Sequence, residues 1–409
     1  MTAKRDKYRN EIVQQLYFAH SLSCAELSRL IDKSLPLTTR LLNELIVDGL
    51  VVEQGFAPSS GGRRPLMYSL KPGMHYLVSV ALDQFVARIV VMDMQNLFVS
   101  EVEKFDLALM DDENAIGTLT SHISDVITKS KISKEKILGI GIGMPGFIDS
   151  KKGVNYTIPY TQEQSITDFI SERTGLPVYL DNDSSLIALA ELRFGAARGK
   201  KDVMVINIGW GVGCGLILNG ELFRGHNGFA GEFSHIPLFM NGKLCSCGKS
   251  GCLETEASML VIVEKAREGL KAGKLSAVKL EELDVLEKAH ESLIRAVHGG
   301  DRFTVGLFSE AGYNIGRGVA ILIHLLNPET IILSGRGSAA GRIWQAPIQH
   351  ALNEHCIPRL AEGTTTEISR LGYKAELIGA AALIMESIGD TGVESNGVED
   401  VHPDYLSSL

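Results

Sequence analysis

A chain of 409 residues, 45% hydrophobic and 22% charged, has the composition of an ordinary globular protein with room for about two to three domains. No apolar run reaches the roughly 18 residues of a membrane span, and the charged start "MTAKRDKYRN" has no apolar signal core behind it, so the expected location is the cytoplasm, with no membrane partner. Its net charge of −9 is uneven: residues 1–72 hold ten Lys/Arg and seven Asp/Glu, leaving +3, whereas the remainder carries thirty against forty-two, leaving −12. A basic head on an acidic body is compatible with nucleic-acid contact through the head alone.

The first predicted helix lies in "NEIVQQLYF", residues 10–18, with Ile12, Val13 and Leu16 at helical spacing. Ser23 followed by Glu26 is a capping box that opens a second helix whose core face is Leu27, Leu30 and Ile31. After the short turn "DKS", Ser34 is placed to cap a third helix and Pro36 is tolerated in its first turn. Leu41/Leu45 and Leu42/Ile46 face inward, and Gly49 ends the helix. "LVVEQGFAPSSGGRRPLMYSL" then reads as a strand, a Gly-rich hairpin and a strand. Three short helices and a basic hairpin make a winged helix-turn-helix over residues 1–72. Its expected partner is double-stranded DNA. Leu37, Thr38, Thr39, Arg40 and Asn43 of the third helix are the candidates for the major groove, and Arg63 and Arg64 of the wing for phosphate or the minor groove.

From residue 73 strands and helices mix, which indicates an α/β body. "HYLVSVALD" and "ARIVVMDM" read as paired strands. "KILGIGIGMPGFID" is a buried strand entering a Pro-Gly turn, and "PVYLDNDSSLIALAELRFG" is a strand, an acidic turn and a helix. In "HIPLFMNGKLCSCGKSGCLE", residues 235–254, one imidazole and three thiols fall close together. His235, Cys245, Cys247 and Cys252 form a Cys3His set for structural Zn2+, since four protein ligands leave no vacancy for water. Gly248 and Gly251 let the backbone turn so that the sulfurs converge. In a reducing compartment the cysteines do not form a disulfide frame, and Cys24, Cys214 and Cys356 are expected as buried small hydrophobes. The acidic tail 389–409 is expected to be mobile.

"GIGMPGFID", "LDNDSSLIALAE", "GVGCGLILNGELFRGHNGFAGEFSH", "CSCGKSGCLE", "NPETIILSGRG" and "GAAAL" occur in this order. With them the chain resembles the ROK family of bacterial repressors, open reading frames and sugar kinases over roughly residues 5–388. The resemblance implies an actin/hexokinase-like, ribonuclease H-like body of two lobes. The first covers 73–190 and is completed by a C-terminal helix at 376–388; the second covers 191–375 and carries the zinc loop and an oligomerisation surface. It also implies a sugar site between the lobes formed by Gly146, Asn182, Asp183, Glu232, His235 and Glu254. His235 would hold zinc with one ring nitrogen and face a sugar hydroxyl with the other.

The nucleotide side departs from the kinase pattern. Where the family's kinases have Asp-x-Gly-Gly-Thr, this chain has "LDQFVARIV": Asp83 is kept, but Gln84, Phe85 and Val86 replace small residues. Trp210 replaces the threonine of the second phosphate turn, and Arg336 interrupts the adenine-side glycines. Phosphoryl transfer requires the nucleotide phosphates to be positioned. The expected function is therefore a sugar-responsive transcriptional regulator, acting as a repressor, with no catalytic residue beyond Asp183 at the residual kinase-base position. It would take a sugar or sugar-phosphate effector and work as a homodimer or dimer of dimers. The rivals are an ATP-dependent sugar kinase with an appended DNA-binding head, and a body that docks a transport-system protein instead of a small ligand.

Overall fold

The computed structural model describes residues 2–57 and 64–390; Arg63 of the expected wing tip and residues 391–409 of the expected tail lie outside them. The described residues form two compact units: a head running to Met74 that includes residues 385–390, and a body of His75–Ile384.

In the head, helices Thr2–Ala19, Cys24–Leu30 and Leu35–Val47 are followed by strands Val51–Phe56 and Leu66–Leu70. The short strand Leu22–Ser23 completes an antiparallel sheet by pairing with Leu66–Leu70. The first helix is longer than the apolar spacing predicts, because its start is polar and carries no periodic signal. The Ser23–Glu26 capping box forms as expected, with the Ser23 amide donating to Glu26 Oε2 at 2.8 Å. Ser34 stands at the N-cap of the third helix, but its side chain makes no capping bond. Ile12, Leu16, Tyr17, Leu27, Leu41, Leu42 and Leu45 close a common core. Gly49, at φ +74°, turns the chain out of the third helix where a β-carbon would be strained. The last turns of the C-terminal helix Ala375–Asp390 belong to this unit: Gln14 Nε2 donates to the carbonyls of Met385 and Glu386 at 3.0 and 3.3 Å.

The body holds two five-stranded sheets with one shared topology. In the first, Tyr76–Leu82, Val86–Asp93 and Glu103–Asp106 form an antiparallel meander, and Ile137–Met144 and Val178–Asn182 add in parallel on the other side. In the second, Val203–Ile208, Val212–Leu218 and Glu221–Phe223 form the meander, and Thr330–Ser334 and Thr365–Ile368 are the parallel additions. Helices precede each parallel strand, as crossovers demand: Ala115–Ser130 and Ile166–Thr174 in the first half, Arg302–Leu326 and Gln345–His355 in the second. This duplication is the two-lobe α/β architecture that the resemblance implies.

Helix Asp183–Phe194 leaves the last strand of the first sheet and lies against Val212–Leu218 of the second. Glycines allow it: a β-carbon on Gly213 would come 2.0 Å from Ser184 Oγ, and one on Gly215 would come 2.3 Å from the β-carbon of Ala188. The start of this helix is thereby pinned at the junction of the two sheets. Cys214 and Cys356 are buried as expected, whereas Cys24 is half-buried with its sulfur 3.3 Å from Thr39 Oγ1. Among the described residues no helix is long and apolar enough to cross a membrane.

Candidate sugar cleft and zinc cluster

A cleft of about 440 Å3 opens between the sheets, and Gly146, Asn182, Asp183, Glu232, His235 and Glu254 all line it. They arrive from separate segments, so the fold brings together what the sequence leaves scattered. Asn182 works mainly on the frame. Its Oδ1 accepts from the amides of Ser184 and Ser185, capping helix Asp183–Phe194, while its Nδ2 donates to the Gly146 carbonyl at 3.2 Å. Gly146 has φ +109°, and a β-carbon there would meet Thr157 Oγ1 at 2.7 Å, so only glycine fits this turn.

Asp183 points one oxygen at the Ser184 amide, 2.7 Å away, and takes a bond from Asn207 Nδ2 on the other at 3.2 Å. Burial pushes its carboxyl up to about 6; the bonds to Ser184 oppose the shift, and the nearby carboxylates of Asp83 and Glu254 add to it. Glu232 is likewise raised, chiefly by burial, with His235 opposing. Glu254 accepts from the Val212 amide at 3.2 Å. Asn207 is a site residue that sequence reasoning misses. Its signal is one amide side chain inside the otherwise apolar strand "VMVINI".

Beside this wall, the donor atoms of His235, Cys245, Cys247 and Cys252 all lie within 4.8 Å of one another. Cys245 Sγ is 3.5 Å from His235 Nδ1, and the sulfurs of Cys247 and Cys252 are 3.6 Å apart. Tetrahedral zinc with ordinary Zn–S and Zn–N lengths separates its ligands by about 3.5–3.8 Å. The donor set therefore fits such an ion. The loop is drawn tight by the Cys245 amide bonding to the Lys249 carbonyl at 2.7 Å, with Gly248 at φ +81°. With Nδ1 turned to the thiols, Nε2 of His235 faces the cleft and lies 3.7 Å from Glu232 Oε2.

The other end of the cleft is lined by side chains that bond to one another. Arg336, 3% exposed, donates to Asp83 Oδ2 at 2.7 Å, to Tyr373 Oη at 2.6 Å and to Glu287 Oε1 at 2.9 Å. Its guanidinium lies between the rings of Trp210 and Tyr373, 4.2 and 4.5 Å from their centroids. The second oxygen of Asp83 accepts from the amides of Phe85 and Val86 at 2.9 and 2.8 Å. The turn that would offer amides to a phosphate thus turns them onto its own aspartate. Phe85 stands edge-on to Trp210 at 6.5 Å. Glu287 also pairs with Lys104, at 2.8 Å. Glu287, Tyr373 and Lys104 carry no motif in the sequence. Neither do Arg88 and Glu376, a buried ion pair at 2.8 Å that also lines the cleft.

In the head, Thr39, Arg40 and Asn43 are exposed on the third helix and Leu37 is half-buried. Thr38 corrects the sequence reading. It is fully buried and its hydroxyl donates to the Ser34 carbonyl at 3.1 Å, because it sits one turn before the core position Leu42. It is not available to a base edge. Arg64 lies over the Phe56 ring at 5.9 Å. Arg5 and Arg9 of the first helix pair with Glu44, and Arg9 also with Asp48, so the acidic side of the third helix is neutralised from within the head.

Comparison with known proteins follows the same division. The xylose repressor of Caldicellulosiruptor bescii is 28% identical over 383 residues, covering 90% of this chain and 92% of its own. A glucokinase of Halalkalibacterium halodurans is 35% identical over 292 residues, covering 70% of this chain and 88% of its own. The crystal structure of a ROK family transcriptional regulator, a homolog of the E. coli MLC protein, matches with a TM-score of 0.76 at 25% identity, over 95% of this chain and 97% of that one. Residues 93–387 match the ROK family model, and the chain belongs to the ROK family.

Proposed function

We propose that this chain is a sugar-responsive DNA-binding regulator, a repressor, whose kinase-like body binds a sugar or sugar derivative without phosphorylating it. The observation that carries this reading is the divided cleft. Its sugar end is lined by carboxylates, amides and an imidazole, while at its nucleotide end Arg336, Trp210 and the self-bonded Asp83 turn are bonded to or stacked on one another. A phosphoryl donor and its Mg2+ need that second space and a free Asp83. The regulator relative also spans 90% of the chain, against 70% for the glucokinase. His235 and the three cysteines would hold Zn2+ as a structural ion, which would fix the imidazole with Nε2 toward the sugar. The head reads operator DNA through Thr39, Arg40 and Asn43, with Arg63 and Arg64 on phosphate, and pairs of heads in a homodimer or dimer of dimers span two half-sites.

The glucokinase similarity supports a second reading, an ATP-dependent sugar kinase, since Asp183 retains a raised carboxyl suited to accept a hydroxyl proton. Calorimetry with a panel of hexoses and pentoses, alongside a coupled ATP assay on the same preparations, separates the two. Binding without turnover is expected. Turnover on the order of 1–100 s−1, the range of ordinary kinases, would replace the regulator reading.

A further inference from the structure

Three aromatic rings cluster where Phe147 lines the cleft, and the sugar-binding set makes no use of them. Phe147 follows Gly146 and lines the cleft; it is 39% exposed. Tyr156, 56% exposed, is held beside it by its amide donating to the Phe147 carbonyl at 3.0 Å. The Phe147 amide in turn donates to Thr157 Oγ1 at 2.9 Å, so the hairpin Ile148–Asp149/Val154–Asn155 fixes both rings. Phe229 comes from the other lobe, next to Ala230 and Gly231 of the cleft lining. Its ring stands edge-to-face to Phe147 at 5.5 Å and 68°, and to Tyr156 at 6.0 Å and 87°. The loop bearing Phe229 lies close on the hairpin: a β-carbon on Gly228 would come 2.8 Å from the Ile148 carbonyl.

An ordered, half-exposed aromatic array continuous with a polar pocket requires a physical reason, because large rings are usually withdrawn from water. A pyranose supplies one. Its hydroxyls lie around the ring edge and its C–H groups on the faces, so a carboxylate set holds the edge while the negative face of an aromatic ring attracts the C–H face. The carboxylates and amides at the bottom of the cleft serve one ring. We propose that Phe147, Tyr156 and Phe229 form a second subsite that receives a further sugar ring joined to the first, making the effector a disaccharide or longer. This rests on the sugar-binding reading given above and names its ligand class.

The test is calorimetry of the full chain with matched pairs: glucose and cellobiose, xylose and xylobiose, N-acetylglucosamine and chitobiose. The expected result is that one disaccharide binds about tenfold more tightly than its monosaccharide, as one or two ring contacts supply. Tyr156→Ala should erase that gain and leave monosaccharide affinity unchanged, while Tyr156→Phe keeps it. Equal affinity within every pair, or a Tyr156→Ala loss that is the same for one ring and two, overturns the subsite. If none of the six sugars binds, the subsite is overturned; the sugar reading itself fails as well if the phosphates of the three monosaccharides do not bind either.

Discussion

Arg336 and Asp83 meet at 2.7 Å across the two lobes of the body, from the turn after the first meander strand of one sheet, Tyr76–Leu82, and the turn after a parallel-added strand of the other, Thr330–Ser334. In a kinase of this architecture, the space between those turns belongs to the nucleotide phosphates. Here an arginine brings its own positive charge to the retained aspartate, and Glu287 and Tyr373 hold it in place.

Removing that arginine should therefore damage the fold before it restores any chemistry. Arg336→Ala removes the counter-ion of Asp83 and leaves Glu287 with Lys104 alone, and breaking a buried pair costs about 3–5 kcal/mol. The partly exposed carboxylates place this case at the lower end. Urea denaturation should show the loss. ATP turnover should stay absent, because Trp210 and the Asp83-bonded amides of Phe85 and Val86 remain. Phosphorylation by the single variant would contradict the division of the cleft.

Asp183 gives a pH signature. Its carboxyl is raised from 3.8 to about 6, so the folded state holds a proton that the unfolded state releases between these values. The group's contribution is most favourable below about 4 and is lost as pH rises through about 6. Asp183→Asn removes the ionised form, so the variant should gain stability over the parent at pH 7.5 and little at pH 4. The gain is on the order of 1–3 kcal/mol, since each tenfold difference in proton affinity between folded and unfolded states is worth about 1.4 kcal/mol. Paired thermal melts at the two pH values read it. A variant less stable than the parent at pH 7.5 would show that the carboxylate is well solvated.

Protein purified without chelator should carry about one zinc per chain. Cys247→Ser removes the most exposed of the three sulfurs and should lower metal content and melting temperature together, since metal binding and folding are linked. Elemental analysis of parent and variant decides it, and a metal-free parent would sink the zinc assignment.

In the head, Arg63→Ala with Arg64→Ala should weaken binding to all DNA sequences and reduce the salt slope by about 2, near 0.9 for each phosphate that is no longer neutralised. Thr39 and Arg40 variants should change which operator is preferred. Thr38→Val should instead destabilise the head through its buried position and leave sequence preference alone. Equal losses on operator and random DNA for the Thr39 and Arg40 variants would place recognition elsewhere.

Local signals give away much of this molecule. The Ser23–Glu26 box, the helical leucine spacing of the third helix and the clustered thiols each depend on neighbours in sequence, so they can be read in a line of letters. Thr38 is misread although its signal is local: it lies one turn before the core position Leu42, and its hydroxyl, satisfied by the Ser34 carbonyl, disguises a core position as a polar one. The Lys104–Glu287–Arg336–Asp83 chain spans positions as far as 253 residues apart. The substitutions at Trp210 and Arg336 stand out as departures from a pattern. That they stack follows only from the pairing of Val203–Ile208 with Thr330–Ser334, strands more than 120 residues apart whose ends bring the two turns together. The aromatic trio is silent for the same reason, as Phe147, Tyr156 and Phe229 share no motif.

Sugar in the cleft is expected to control the hold of the head on DNA. By linkage, sugar releases DNA only if it binds the free protein better than the operator-bound form. The direct measurement is fluorescence anisotropy of the full chain on an operator selected from a random library, titrated with the tightest-binding sugar, for the parent and for Asp183→Asn. The expected result is release of the parent, with the variant holding operator equally well without sugar yet needing at least tenfold more sugar for release, as loss of hydrogen bonds to a charged group worth about 1.5–3 kcal/mol would give. Release of both at the same sugar concentration would contradict the account and show that the cleft is not the sensor.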